Sequence, residues 1–155
     1  MRKTGMLLTG VVFLTCALAG IALAKTDGAA VYQRCSICHK DTGTGVGTVF
    51  PPLAGHAPKL AKSDRAYPVQ VILFGLEGEI EVEGKTFKGM MPALGSQLKD
   101  DEIAAVLNHI LASWGNDKML PKGHKEYTST EIKALRGKIL TSKQVHEARK
   151  KLKLK

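Results

Sequence analysis

Apolar positions recur along the chain with two different periods. From Asp101 to Trp114, the residues Ile103, Val106, Leu107, Ile110, Leu111 and Trp114 follow i, i+3, i+4, i+7 spacing, which predicts an amphipathic helix. Asp100 is placed to cap it, and Gly115-Asn116 stops it. A shorter helix is expected from Gly28 to about Ile37 with Asp27 as its cap, and another from Tyr67 to Phe74, with Pro68 in its first turn and Gly75 at its end. Between Glu77 and Phe87 the period changes to two: Glu79, Glu81 and Glu83 alternate with Ile80 and Val82, and Gly84-Lys85 can turn the segment into a hairpin. These carboxylates have no loop of the shape a calcium site needs and are read as a solvated strand edge. Toward the end, Thr130 to Arg136 precedes Gly137, and Thr141-Ser142-Lys143-Gln144 forms a capping box ahead of Val145, Ala148 and Leu152. Asp41 to Gly47 is a flexible loop and Phe50 to Gly55 a stiffer one. The fold class is mostly α, with a small β-hairpin and a C-terminal helical extension. The apolar face of 101–114 must be buried, and the helix carrying Gly28, Val31 and Tyr32 is its expected partner, with Gly28 permitting close approach.

The chain has 155 residues, enough for one compact core with tails, and 44% hydrophobic with 24% charged residues excludes a disordered chain or a multi-span membrane protein. Only 5% of residues are aromatic, so a large flat cofactor would be a useful source of extra core. Residues 1–24 have the layout of a secretory signal: Arg2 and Lys3, an uncharged run, and the small-residue triplet Ala22-Leu23-Ala24. Cleavage is expected after Ala24. The competing reading is an uncut anchor, because Met6 to Ala24 counts 19 residues and about 20 can span a bilayer. Either way the rest is exported, to the periplasm or another extracytoplasmic space. The formal charge of +9 is unevenly placed: Lys25 to Asn116 holds 9 basic and 10 acidic residues, and Asp117 to Lys155 holds 12 and 4. A neutral body with a basic tail, in an exported protein, argues against a nucleic-acid module. Residues 25–116 therefore form the body. Residues 117–155 form a basic extension, read as a clasp that buries Ile132, Leu135, Ile139, Val145 and Leu152. The alternative is an unpacked arm, chiefly over Arg149 to Lys155, where five of seven residues are cationic.

With Cys16 inside the leader, two cysteines remain, in Cys35-Ser36-Ile37-Cys38-His39. A redox dithiol would want a strand ahead of it, and a zinc site would want a second ligand pair. CxxC followed at once by His is instead the attachment signature of c-type haem: two thiols one turn apart reach two vinyl groups, and the adjacent imidazole reaches the iron. For the sixth iron position, Gly89-Met90-Met91-Pro92 offers a thioether on a constrained loop. Met91, directly before the proline, is the expected ligand; Met90 would turn away and pack as ordinary core, and the competing reading makes both gap-filling residues. His56, His109, His124 and His146 are read as surface or satisfied structural histidines.

The CxxCH motif, Pro51-Pro52-Leu53-Ala54-Gly55, Gly89-Met90-Met91-Pro92 and Asp100 to Ile110 together resemble a class I cytochrome c. Within that family the chain resembles the small soluble Thermus type, also across Gly75 to Gly84 and the basic extension. The resemblance implies the class I fold around one covalent haem c, thioethers from Cys35 and Cys38, and axial ligands His39 and Met91. It also implies that Pro51 offers its carbonyl to the second nitrogen of His39. Two filled axial positions leave no place for substrate, so the implied role is not an enzyme's. It is that of a respiratory electron carrier, receiving electrons from a donor such as a quinol:cytochrome c reductase and passing them singly to a terminal oxidase. Membrane contact would come only through partners or an uncut anchor. Two other classes remain open: a permanent haem subunit of a larger oxidoreductase, and a haem enzyme or gas sensor with the methionine displaced.

Overall fold

The computed structural model describes residues 25–154; the leader, with its cleavage site or anchor, lies outside the described residues. Asp27 accepts the Ala29 N–H at 2.9 Å and starts α1, Gly28–His39. This helix runs two residues past Ile37, so both cysteines and His39 lie on its C-terminal end. Its main partner is α4, Asp100–Ala112, which carries the apolar stripe inward: Ile103, Val106, Leu107, Ile110 and Leu111 are all buried. A Cβ on Gly28 would overlap the Ala105 carbonyl, so the two backbones touch where only glycine fits.

Both ends of α4 differ from the expectation. The helix begins at Asp100, and the cap is Lys99, whose N–H donates to the Glu102 carboxylate at 2.8 Å. Asp100 is thereby left to pair with Arg136 of the extension. The helix ends at Ala112; Trp114 takes φ 55°, lays its ring over Gly43 and donates from Nε1 to the Asp41 carbonyl at 3.0 Å.

Two further helices flank this pair. One, α2 (Ala57–Ser63), has no counterpart in the sequence reading, because Gly55 and Pro58 resemble loop punctuation. Pro58 is the second residue of the helix, where its missing N–H costs nothing. The other, α3 (Ala66–Phe74), ends as expected at Gly75, φ 78°.

The glutamate segment forms β2 (Ile80–Val82) and β3 (Lys85–Phe87), antiparallel with Ile80 opposite Phe87. Their turn falls on Glu83-Gly84, both at positive φ, one residue earlier than Gly84-Lys85. Ile80, Val82 and Phe87 make a small second core while the glutamates stay exposed. A second ladder, not foreseen, pairs β1 (Leu76–Glu77) with β4 (Met90–Met91), Leu76 opposite Met91.

After a 3₁₀ turn at Asn116–Met119, the extension forms α5 (Ser129–Arg136), capped by Thr128, and α6 (Ser142–Arg149), opened by the reciprocal Thr141–Gln144 box. Helix α5 packs on α3 and α4, and α6 on α3 and β1, with Ile132 and Val145 fully buried. Arg65, ahead of α3, grips the extension. Its guanidinium binds both Glu131 carboxylate oxygens at 2.8 and 3.0 Å and the Lys125 carbonyl at 2.8 Å, and it lies 4.1 Å from the centre of the Tyr127 ring. Ile139, expected in the buried set, is 91% exposed, because it follows the helix end at Gly137 and faces no neighbour. Arg149, which the alternative reading assigns to an unpacked arm, is buried. Among the described residues no helix is long and apolar enough to cross a membrane.

Candidate haem site

The end of α1 presents two free thiols and an imidazole. While it is a thiol, Cys35 is pushed up to about 11 by burial, reinforced by the neighbouring Cys38. His39 Nδ1 lies 2.9 Å from the Pro51 carbonyl. A carbonyl only accepts, so Nδ1 carries the proton and Nε2 keeps its lone pair for a ligand. Burial pulls His39 below the ordinary histidine range and so favours the neutral, ligating form; the hydrogen bond to Pro51 opposes this shift without cancelling it.

The loop that supplies Pro51 is held in turn by Asn116. Its Oδ1 accepts the Gly55 N–H at 2.7 Å, and its Nδ2 donates to the Leu53 and Ile110 carbonyls at 3.3 and 2.8 Å. Asn116 is completely buried, which the sequence hinted at only as a helix stop. The Leu53 and Ala54 amides bind the Gly43 carbonyl at 2.7 and 3.0 Å, so the flexible and the stiff loops brace each other behind His39.

Of the two methionines, Met91 is half-buried against the main core, whereas Met90 is 64% exposed. Met90 does turn away, as expected, but into solvent rather than into core. Cys35, Leu53, Met91 and Leu94 all pack against the core while staying partly open, an apolar set that a flat ring would bury further. Thiols, a neutral imidazole nitrogen and a thioether are the donor set of a c-type haem, and the residues present fit that group.

The histidines divide. His109 sits in an aromatic group with Tyr32 and Trp114, His124 meets the Tyr127 ring edge-on, and His146 Nε2 bonds the Glu79 carbonyl at 2.7 Å. His56 is buried and not fully satisfied. Its Nε2 accepts from Arg149 Nη2 at 3.0 Å, which leaves an Nδ1–H without an acceptor among the described residues. Burial, then the Arg149 charge, drives His56 down to about 4, so it is neutral. The buried Tyr67 hydroxyl, also within the influence of Arg149, likewise has no partner there. Nothing in spacing or periodicity marked this cluster, because Arg149 comes from the far end of the chain.

The cytochrome c family model matches residues 26–114. The chain belongs to the cytochrome c family. This cytochrome c is 49% identical over 140 residues to a cytochrome c-552 of Thermus thermophilus, covering 89% of this chain and 93% of that protein. It is 48% identical to a second Thermus thermophilus cytochrome c-552, covering 84% of this chain and all of the relative. A more distant match, 38% identical, is the cytochrome c subunit of the quinone alcohol dehydrogenase of Gluconobacter oxydans, over 58% of this chain and 19% of that protein. The chain is thus a mono-haem c-type cytochrome of class I, a mostly helical electron carrier with one covalently attached haem c.

Proposed function

We propose that this cytochrome c is an exported respiratory carrier in the periplasm or an equivalent space, receiving electrons from a donor such as a quinol:cytochrome c reductase and delivering them singly to a terminal oxidase. The observation that carries the reading is the His39–Pro51 contact, which leaves one imidazole nitrogen with its lone pair on the same helix end as Cys35 and Cys38. In this reading Cys35 and Cys38 would hold the haem covalently, and His39 and Met91 would supply the ligands to its iron. Residues 25–116 hold the site and residues 117–155 clasp it. The His56 Nδ1–H and the Tyr67 hydroxyl, buried donors with no partner among the described residues, are suited to the haem's carboxylates. The haem supplies a one-electron ferrous–ferric couple. The chain's part is to close both faces to exchangeable ligands, which makes it a carrier and not a catalyst. Reduced c-type absorption bands with a weak near-infrared thioether-to-iron band in the oxidised protein are expected; an oxidised spectrum without that band removes Met91 as ligand.

The match to cytochrome c-552 spans 93% of the relative, against 19% of the dehydrogenase subunit, and favours a free carrier over a permanent haem subunit. Exposed apolar side chains lie near the site: Ile37, between the cysteines, is 80% exposed, and Val49 and Met90, on either side of Gly89, are 50% and 64% exposed. An apolar encounter is insensitive to salt, whereas charge steering is screened within about 8 Å at physiological ionic strength. Electron transfer to the oxidase is therefore expected to change by less than about tenfold between low and physiological salt. A steep fall with salt, abolished by truncation after Asn116, would make the basic extension the docking element instead.

A further inference from the structure

Pro92 to Lys99 joins the Met91 strand to α4 without regular structure, so its path is set by what its peptide groups meet. On one side, the Leu94 and Gly95 amides donate to the Ile72 and Leu73 carbonyls near the end of α3, at 2.9 and 3.3 Å. On the other, a single guanidinium takes three acceptors. Arg136 Nη1 donates to the Gly95 carbonyl, Nη2 to the Leu98 carbonyl at 2.9 Å and Nε to Asp100 Oδ1 at 2.7 Å. Only a rigid fork of N–H groups spans acceptors so placed, and the Asp100 carboxylate balances its charge. Arg136 is the last residue of α5 and lies outside the 26–114 family match, so a segment beyond that match reaches back onto the loop after Met91.

We propose that Arg136 is a positioning residue for Met91, holding residues 92–99 shut so that the thioether remains on the iron; this rests on the reading of Met91 as axial ligand. A soft, neutral sulfur binds ferric iron more weakly than ferrous. The hold of the loop therefore matters most in the oxidised protein.

The test uses the oxidised holoprotein and imidazole, a neutral ligand that enters only after the thioether has left. At saturating imidazole, the rate of loss of the near-infrared band reads the opening of the loop. Arg136→Ala is expected to raise that rate about tenfold or more, since it removes hydrogen bonds from a charged donor, and Arg136→Lys to recover only part of the loss. Arg65→Ala removes the Glu131 pair from the same helix and serves as the structural comparison: it should lower Tm yet leave the opening rate within about twofold. Should Arg136→Ala fail to retain haem, Asp100→Asn removes the counter-charge alone and should raise the rate several-fold. An unchanged rate in the Arg136 and Asp100 variants overturns the proposal. So does an equal rise in Arg65→Ala, which would mean general loosening. A native oxidised protein lacking the band would instead remove the Met91 reading itself, a result distinct from a band that is present and indifferent to Arg136.

Discussion

Replacing Cys35 and Cys38 together by alanine is expected to turn haem that survives denaturation into haem that acidified organic solvent removes. Both cysteines sit on one helical end beside His39, one turn apart. Thioether formation needs that placement, while axial ligation needs only the imidazole. The double variant keeps His39 and its Pro51 contact, so it can still bind haem through the iron, and the change appears as extractability rather than as simple absence of colour. Haem that stayed with the double variant through extraction would overturn covalent attachment at these residues. Each single variant should keep one thioether and resist extraction.

Met91→Ala is expected to open the iron to carbon monoxide, abolish the near-infrared band and lower the reduction potential, because a ligand favouring ferrous iron is lost. Met90→Ala provides the comparison. With Met90 64% exposed, its truncation should change stability by no more than about 0.5 kcal/mol and leave the spectrum as it was. Carbon monoxide titration and the oxidised spectrum of the two variants decide the matter: effects found in Met90→Ala instead would shift the ligand by one residue.

Much of this arrangement was legible because it is local. The stripe of α4, the Asp27 cap, the Thr141–Gln144 box and the strand alternation depend on neighbours within a few positions, and the structure departs from them by one or two residues at the ends. The CxxCH cluster was legible for the same reason. What escaped is non-local. Helix α2 hides behind Pro58, whose cost depends on its place in the first turn. The roles of Asn116, Arg136 and Arg149 exist only after distant segments meet; Arg149 contacts His56 across 93 positions. The chemistry of Met90 points to the core, and its pairing opposite Glu77 in a two-residue ladder at the surface could not be read from an apolar side chain alone.

The contact between Gly28 and Ala105 sets a schedule for the growing chain. Ala105 lies 77 positions after Gly28, and a helix of 12 residues such as α1 is marginal in water by itself. Until α4 has been made, α1 has no lasting partner. Cys35, Cys38 and His39 therefore remain on an open segment, within reach of the machinery that joins thiol to vinyl. Helices α5 and α6 come later still. The helix that carries the attachment site thus waits for the last third of the polypeptide to bring its main packing partner.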